Sequence, residues 1–174
     1  MNHFCAGVYF GFDSKENLWK VLGATDARFP MGVKIPGGTN KDENADFLLD
    51  EKPGNTLIRE FIEETGLKPE GEFNKVHSVT LPGRKPGDTP HTRYFYLVRK
   101  VVGIFPFGSA KEFRDDKDDV KVRWWNLRDF ENAIFRFPNH VEGYVKAFLA
   151  MANLDDKFRQ DNLEMFNRYS TMKF

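Results

Sequence analysis

The sequence predicts a mixed α/β sandwich. Three observations carry that reading: strand-like segments lie on both sides of one amphipathic helix near residue 60, helical segments follow the last strand, and the composition is that of an ordinary folded domain. The chain has 174 residues, 26 basic against 26 acidic side chains, and 40% hydrophobic with 15% aromatic content, enough for a sizeable core. Residues 1–174 read as a single domain, with 141–174 a C-terminal helical extension.

Phe4 to Phe12 and Leu18 to Leu22 are rich in aromatic and β-branched residues and flank the turn-like Asp13-Ser14-Lys15-Glu16-Asn17, which predicts an antiparallel hairpin. Gly32 to Ile35 reads as a strand ended by Pro36-Gly37-Gly38, because proline lacks a donor and glycines free the backbone. After a polar loop, Pro53-Gly54-Asn55 opens a helix expected over Asn55 to Thr65. Ile58, Phe61, Ile62 and Thr65 are its expected buried stripe, and Gly66 its left-handed cap. Glu72 to Leu81 and Thr92 to Val102 read as strands joined by a loop with two Pro-Gly pairs. Gly108 to Asp119 reads as a charged loop, Val120 to Trp125 as a strand and Leu127 to Phe135 as a short helix. Val141 to Leu154 and Lys157 to Tyr169 read as amphipathic terminal helices.

A net charge of zero argues against a general nucleic-acid or anionic-membrane binder, so stable nucleic-acid binding is not expected. The single cysteine, Cys5, excludes an intramolecular disulfide and a cysteine-rich zinc site and points to a reducing compartment, the cytoplasm by default. The first residues carry no leader-like pattern and read as the first strand, and no apolar run approaches the roughly 20 residues needed to span a bilayer. His3, His77, His91 and His140 are scattered without metal-ligand spacing, and neither GxxxxGK[ST] nor GxSxG occurs.

The distinctive segment is Arg59-Glu60-Phe61-Ile62-Glu63-Glu64-Thr65-Gly66-Leu67. Glu60, Glu63 and Glu64 stand at i, i+3 and i+4, so a helix brings three like charges to one side. They repel unless solvated, or unless a hard divalent cation with oxygen ligands sits over them. Three glutamates alone read as a solvated face. The whole pattern, though, arises by chance at a frequency on the order of 10⁻⁵ per chain of this length, given average residue usage.

With Glu51 eight residues before Arg59, and Pro36-Gly37-Gly38 ahead of it, the chain resembles the Nudix hydrolases, whose box runs Gly, five residues, Glu, seven residues, then Arg-Glu-apolar-any-Glu-Glu-any-Gly-apolar. One departure stands out: Gly38 lies thirteen residues before Glu51 rather than six, and Ala45 occupies the strict-spacing glycine position. The resemblance implies a Nudix-like α/β/α sandwich with a mixed sheet and additional C-terminal helices. It implies Mg²⁺ or Mn²⁺ held by Glu60, Glu63 and Glu64 with a backbone carbonyl of Gly37 or Gly38, and Glu51 and Arg59 in support. A metal bridging diphosphate oxygens neutralises charge and lowers the pKa of bound water for in-line attack. The general base is Glu60 or a later carboxylate; Glu112, Asp115, Asp116, Asp118 and Asp119 are candidates, Glu112 first, each with a solvated acidic loop as its plain alternative.

Pro82, fifteen residues after Leu67, resembles a feature of the ADP-ribose and nucleoside-diphosphate-sugar hydrolases, although Pro-Gly is also ordinary turn chemistry. Arg84, Lys85 and Arg93 are candidate diphosphate contacts, with surface solubility the alternative. Trp124 and Trp125 must place their rings on opposite sheet faces. The expected reaction is Mg²⁺-dependent cleavage of a nucleoside diphosphate linked to another group, giving a nucleoside monophosphate and a phosphorylated product. Triphosphate pyrophosphohydrolysis, RNA 5′-end hydrolysis and a non-catalytic nucleotide sensor are the competing readings. A small nucleotide is the expected partner, and the protein a monomer or homodimer; the extra N-terminal sheet through which some ADP-ribose hydrolases of the family dimerise is not expected.

Overall fold

The computed structural model describes residues 2–71, 73–115 and 118–174. Its strands are β1 (His3–Asp13), β2 (Leu18–Asp26), β3 (Gly37–Thr39), β4 (Lys68–Pro69), β5 (Asn74–Leu81), β6 (His91–Val98), β7 (Val101–Val102), β8 (Ala110–Asp115) and β9 (Asp118–Asn126). The helices are α1 (Pro53–Thr65), α2 (Leu127–Ile134), α3 (Pro138–Leu154), α4 (Asp156–Asp161) and α5 (Leu163–Ser170).

The main sheet runs β5-β6-β1-β2-β9-β8, with β3 also on β1 and a separate β4–β7 ladder. It is mixed, because β1 and β6 are parallel while the other pairs are antiparallel. β1 is long enough to change partners, meeting β3 over Phe4–Ala6 and β2 over Phe10–Asp13.

The period-2 alternation of strand side chains sorts the core into two layers. Ala6, Val8, Phe10, Phe95 and Leu97 face α2–α5, while Cys5, Tyr96, Val98 and Trp124 face α1. Trp125 packs on the first layer and Trp124 belongs to the second, so the tandem rings stand on opposite faces. The result is the expected α/β/α sandwich with additional C-terminal helices. Gly7 lets α1 approach the sheet, since a Cβ there would lie 2.9 Å from Val98 Cγ2 and 3.1 Å from Leu57 Cδ1.

Several expectations are corrected. Helix α1 starts at Pro53 and buries Thr56, Leu57, Phe61, Glu64 and Thr65, whereas Ile58 is half-buried and Ile62 exposed. The stripe is rotated because Leu57 and Phe61 pack against the open backbone at Gly7. Gly37-Gly38-Thr39 does not end a strand but forms one, and the expected strand before it makes a single bridge, Ala24 to Lys34. The charged segment 108–119 contributes β8 and the start of β9: at a sheet edge, alternate positions remain solvated, so a charged sequence still pairs. The last helix breaks at Asn162 into α4 and α5. The strand expected over Thr92–Val102 stops at Val98, and β7 pairs instead with β4. The strand expected from Glu72 begins at Asn74, Glu72 itself lying outside the described residues.

Candidate functional site

The site forms where β3 meets α1. Gly66, at φ 75°, ends the helix with its N–H on the carbonyl of Ile62, so α1 presents Arg59 to Glu64 in its last two turns. Arg59 is the hub. Its Nε donates to Glu51 Oε2 at 3.1 Å, its Nη2 to Glu51 Oε1 at 3.0 Å and to the Thr39 carbonyl at 3.1 Å, and its Nη1 to Glu60 Oε1 at 2.6 Å. Glu63 Oε1 lies 3.7 Å from Nη1. This planar fork ties the loop before α1, strand β3 and the helix itself into one geometry. The Arg59 guanidinium holds the Glu51 carboxyl below its usual range, and Glu51 in turn raises Arg59.

The three helix carboxylates do not share one environment. Glu64 is buried and accepts the Gly37 N–H at 2.8 Å. Glu60 lies over Gly38, where an added Cβ would fall 2.2 Å from Glu60 Oε2. Glu63 points outward, its side chain 59% exposed. Their backgrounds follow from helical rotation of about 100° per residue, which turns adjacent Glu63 and Glu64 apart. The two glycines have steric causes: a Cβ on Gly37 would lie 2.1 Å from the Cys5 carbonyl, and one on Gly38 would displace Glu60.

The Gly38 expectation is refined by register. Asn40 N–H to the His3 carbonyl at 3.0 Å and Gly7 N–H to the Pro36 carbonyl at 2.9 Å flank the β1–β3 pairing. Antiparallel alternation then makes Cys5–Gly38 the hydrogen-bonded pair, turning the Gly38 carbonyl toward β1. The carbonyls on the helix side belong to Gly37 and Thr39, and Thr39 already receives Arg59. Although Gly38 lies thirteen residues before Glu51, Gly37-Gly38 is the seat of Glu60 and Glu64, while Ala45, at the strict spacing, sits in the loop at φ 62°, the left-handed region glycine would favour. That loop walls a cleft of about 640 Å³ with Lys41, Asp42 and Asn44, opposite Arg59, Glu60 and Glu63.

The chemistry of this donor set suits a hard divalent cation, since every side-chain donor is a carboxylate oxygen. Among the described residues no three His, Cys, Asp or Glu side chains converge as a finished metal cage. Cys5, on the α1 face, is a buried free thiol pushed up to about 12 by burial, then by Glu51 and Glu60.

The other sequence-derived candidates lie elsewhere. Glu112 is exposed on edge strand β8, paired with Lys121 at 3.9 Å. Its register partner Lys121 alternates with Val120 and Val122 of the α1-side core, so Glu112 is on the face away from α1. Asp119 shares that side of β9 and is exposed; Asp116 and the side chains of Asp115 and Asp118 lie outside the described residues. Alternation brings forward Lys111 instead, whose Nζ donates to the Glu63 carbonyl at 2.8 Å and fastens β8 to the end of α1.

Arg93 is separated from the carboxylates by the sheet. It aligns with Phe4, its guanidinium 5.9 Å from that ring, on the face occupied by Phe95 and α3. Phe4 aligns in turn with Thr39, so Arg93 stands two strands, about 10 Å, from the cleft edge. Burial, and then the like charge of Arg84, lower the Arg93 pKa; Pro82 and Arg84 are exposed in the loop after β5.

Fold and site together define an α/β enzyme scaffold built around a carboxylate helix, and comparison with known proteins makes the assignment specific. The NUDIX domain model matches residues 1–148, so the chain belongs to the NUDIX family. The chain is similar to Shewanella oneidensis NrtR (19% identity, TM-score 0.55), covering 87% of this chain and 63% of that one. It is also similar to the NUDIX domain of that protein complexed with ADP ribose (18%, TM-score 0.52; 88% of each chain). A MutT/nudix family protein from Enterococcus faecalis shares 23% identity at TM-score 0.49, and the alignment takes in 72% of this chain but only 43% of that one. A search of curated proteins finds no match.

Proposed function

We propose that the protein is a Mg²⁺- or Mn²⁺-dependent hydrolase that cleaves the diphosphate bond of a nucleoside diphosphate linked to another moiety, ADP-ribose or a sugar nucleotide, to a nucleoside monophosphate and a phosphorylated product. The carrying observation is the Arg59 fork, which holds Glu51, Glu60 and the Thr39 carbonyl in one arrangement beside an outward-facing Glu63. Such investment in orienting carboxylates suits a group that must meet a metal ion in fixed geometry. Glu60, Glu63 and Glu64 would hold the ion, with a backbone carbonyl of β3, and the ion would supply charge neutralisation and an activated water.

The substrate reading is supported by Pro82 and by a structural neighbour solved with ADP ribose. Arg84 and Arg93 then contact the distal part of a substrate that reaches around the end of the sheet, since the carboxylates stand on its other face. The single cysteine, Cys5, supports a reducing compartment, the cytoplasm, as the setting of this proposal; no helix among the described residues is long and apolar enough to cross a membrane.

An endpoint assay with Mg²⁺ over ADP-ribose, GDP-mannose, UDP-glucose and deoxynucleoside triphosphates tests the reading, with phosphate read in separate wells containing alkaline phosphatase or inorganic pyrophosphatase. Phosphate released by the phosphatase only after enzyme has cut ADP-ribose or a sugar nucleotide is the expected result. Glu63→Gln abolishes it while the fold is retained. Pyrophosphate from triphosphates alone overturns the substrate class, and nucleotide binding without turnover in either form overturns the hydrolase.

A further inference from the structure

A buried polar chain runs from the first strand into the site, through residues that the box pattern does not include. His3 is 4% exposed, and Thr56 and Asn40 are fully buried. His3 Nε2 lies 2.7 Å from Thr56 Oγ1, and Thr56 Oγ1 lies 2.6 Å from Glu51 Oε1. Glu51 then receives both nitrogens of the Arg59 fork.

The protons in this chain follow from elementary chemistry. Glu51 beside Arg59 is a carboxylate and only accepts, so the single Thr56 hydroxyl proton is directed to it. Thr56 Oγ1 is left as an acceptor, so His3 must present Nε2–H. The ring thereby fixes the hydroxyl rotor, the rotor fixes one oxygen of Glu51, and Glu51 fixes the fork on which Glu60 rests. A carboxylate held by three donors has little freedom to rotate.

The backbone of His3 does a second job. Its N–H donates to Asn40 Oδ1 at 2.8 Å and its carbonyl accepts the Asn40 N–H at 3.0 Å. Asn40 Nδ2 donates to the Leu48 carbonyl at 3.1 Å, and the Asn40 carbonyl accepts the Leu48 N–H at 2.8 Å. Asn40 and Leu48 bracket the loop that walls the cleft. One residue thus sets both the wall and, through its ring, the carboxylate support.

We infer that His3 is a positioning residue, acting through Thr56 and Glu51 to hold Arg59 and the helix carboxylates in their metal-binding arrangement. It touches neither substrate nor metal. The inference rests on the proposed metal-dependent function, but its first readout does not require turnover.

The experiment measures Mn²⁺ binding by electron paramagnetic resonance in the wild-type protein, His3→Phe, His3→Gln and Thr56→Val, with thermal melts alongside. His3→Phe keeps a ring of similar size but removes the donor, while His3→Gln offers an amide N–H in its place. The expected result is Mn²⁺ affinity reduced about 10-fold in His3→Phe and Thr56→Val, and restored to within about 3-fold in His3→Gln. Where a substrate has been found, kcat falls with the affinity while KM changes less than 3-fold. Adding His3→Phe to Thr56→Val costs nothing further if they act in one chain. Wild-type affinity in folded His3→Phe, or a loss in His3→Gln as large as in His3→Phe, overturns the inference. Mn²⁺ binding by the wild-type protein that falls in His3→Phe and Thr56→Val as expected, with no hydrolysis of any compound tested, overturns the function and leaves the positioning role standing.

Discussion

Two arginine–glutamate forks stand on opposite faces of the sheet, and their surroundings differ in kind. On the α1 face, Arg59 meets Glu51, Glu60 and the Thr39 carbonyl at the edge of an open cleft. On the other face, Arg168 of α5 grips both oxygens of Glu131 in α2, and Tyr169 donates to the same carboxylate at 2.8 Å. That second fork sits beside Tyr144 and Phe148, whose rings meet Tyr169 edge to face. Arg59 shares its donors among elements whose relative position decides a site; Arg168 directs its donors to one residue and fastens the chain's last helix. Similar chemistry thus serves orientation where one guanidinium is shared among several acceptors beside a cleft, and cohesion where it meets a single carboxylate buried among rings.

The sharpest way to break this contrast is to remove the cohesive partner. Glu131→Ala leaves the buried Tyr169 hydroxyl without its acceptor and the half-exposed Arg168 without its partner, and is expected to cost about 2–3 kcal/mol of stability. Urea unfolding measures it, and activity per folded molecule stays unchanged; a loss below about 1 kcal/mol would show that the C-terminal helices are not held this way. Arg59→Ala should behave oppositely, lowering kcat/KM about 100-fold, equivalent to about 2.7 kcal/mol, with a smaller change in melting temperature. Equal effects of both variants on activity and on stability would erase the distinction.

A pH titration sharpens the comparison further. His140, buried in the first turn of α3, accepts the Ile35 N–H at Nδ1 at 3.1 Å and is therefore neutral, with its pKa pushed down to about 3 by burial, then by Arg93 and Lys34. Between the unfolded value of about 6.5 and 3 the unfolded chain binds the extra proton, so stability falls as pH falls, by up to about 1.4 kcal/mol per pH unit. On the α1 face Glu51 also has a depressed pKa, so its contribution is present above about pH 4.3 and disappears only below that value. Unfolding curves from pH 7 to 5 should therefore soften chiefly through His140, with smaller contributions of the same sign from His77 and His91, whose pKa values burial also lowers, and His140→Asn, which retains an acceptor, should reduce that slope. An unchanged slope in the variant would assign it elsewhere.

Much of this was legible from residues. Alternation placed Trp124 and Trp125 on opposite faces, and the Arg59-to-Leu67 pattern located the helix, its glycine cap and its carboxylates. The charged segment around Glu112 misled, because composition distinguishes solvated from buried but not an edge strand from a loop. The histidines had no spacing to reveal them: His3 acts through a threonine 53 positions away, a separation that no local period encodes.

The sequence by itself determined the family, the central helix and the identity of the box residues, because those depend on local periodicity and on the chemistry of side chains at short spacing. Only the tertiary structure decided that Glu60, Glu63 and Glu64 occupy three different environments, and that Gly37-Gly38 rather than Ala45 seats Glu60 and Glu64. It also decided that Arg93 and Glu112 face away from α1 and that His3 supports Glu51. The reason is that strand register and sheet face are set when distant segments pair, and a shift of one residue sends a side chain to the opposite side.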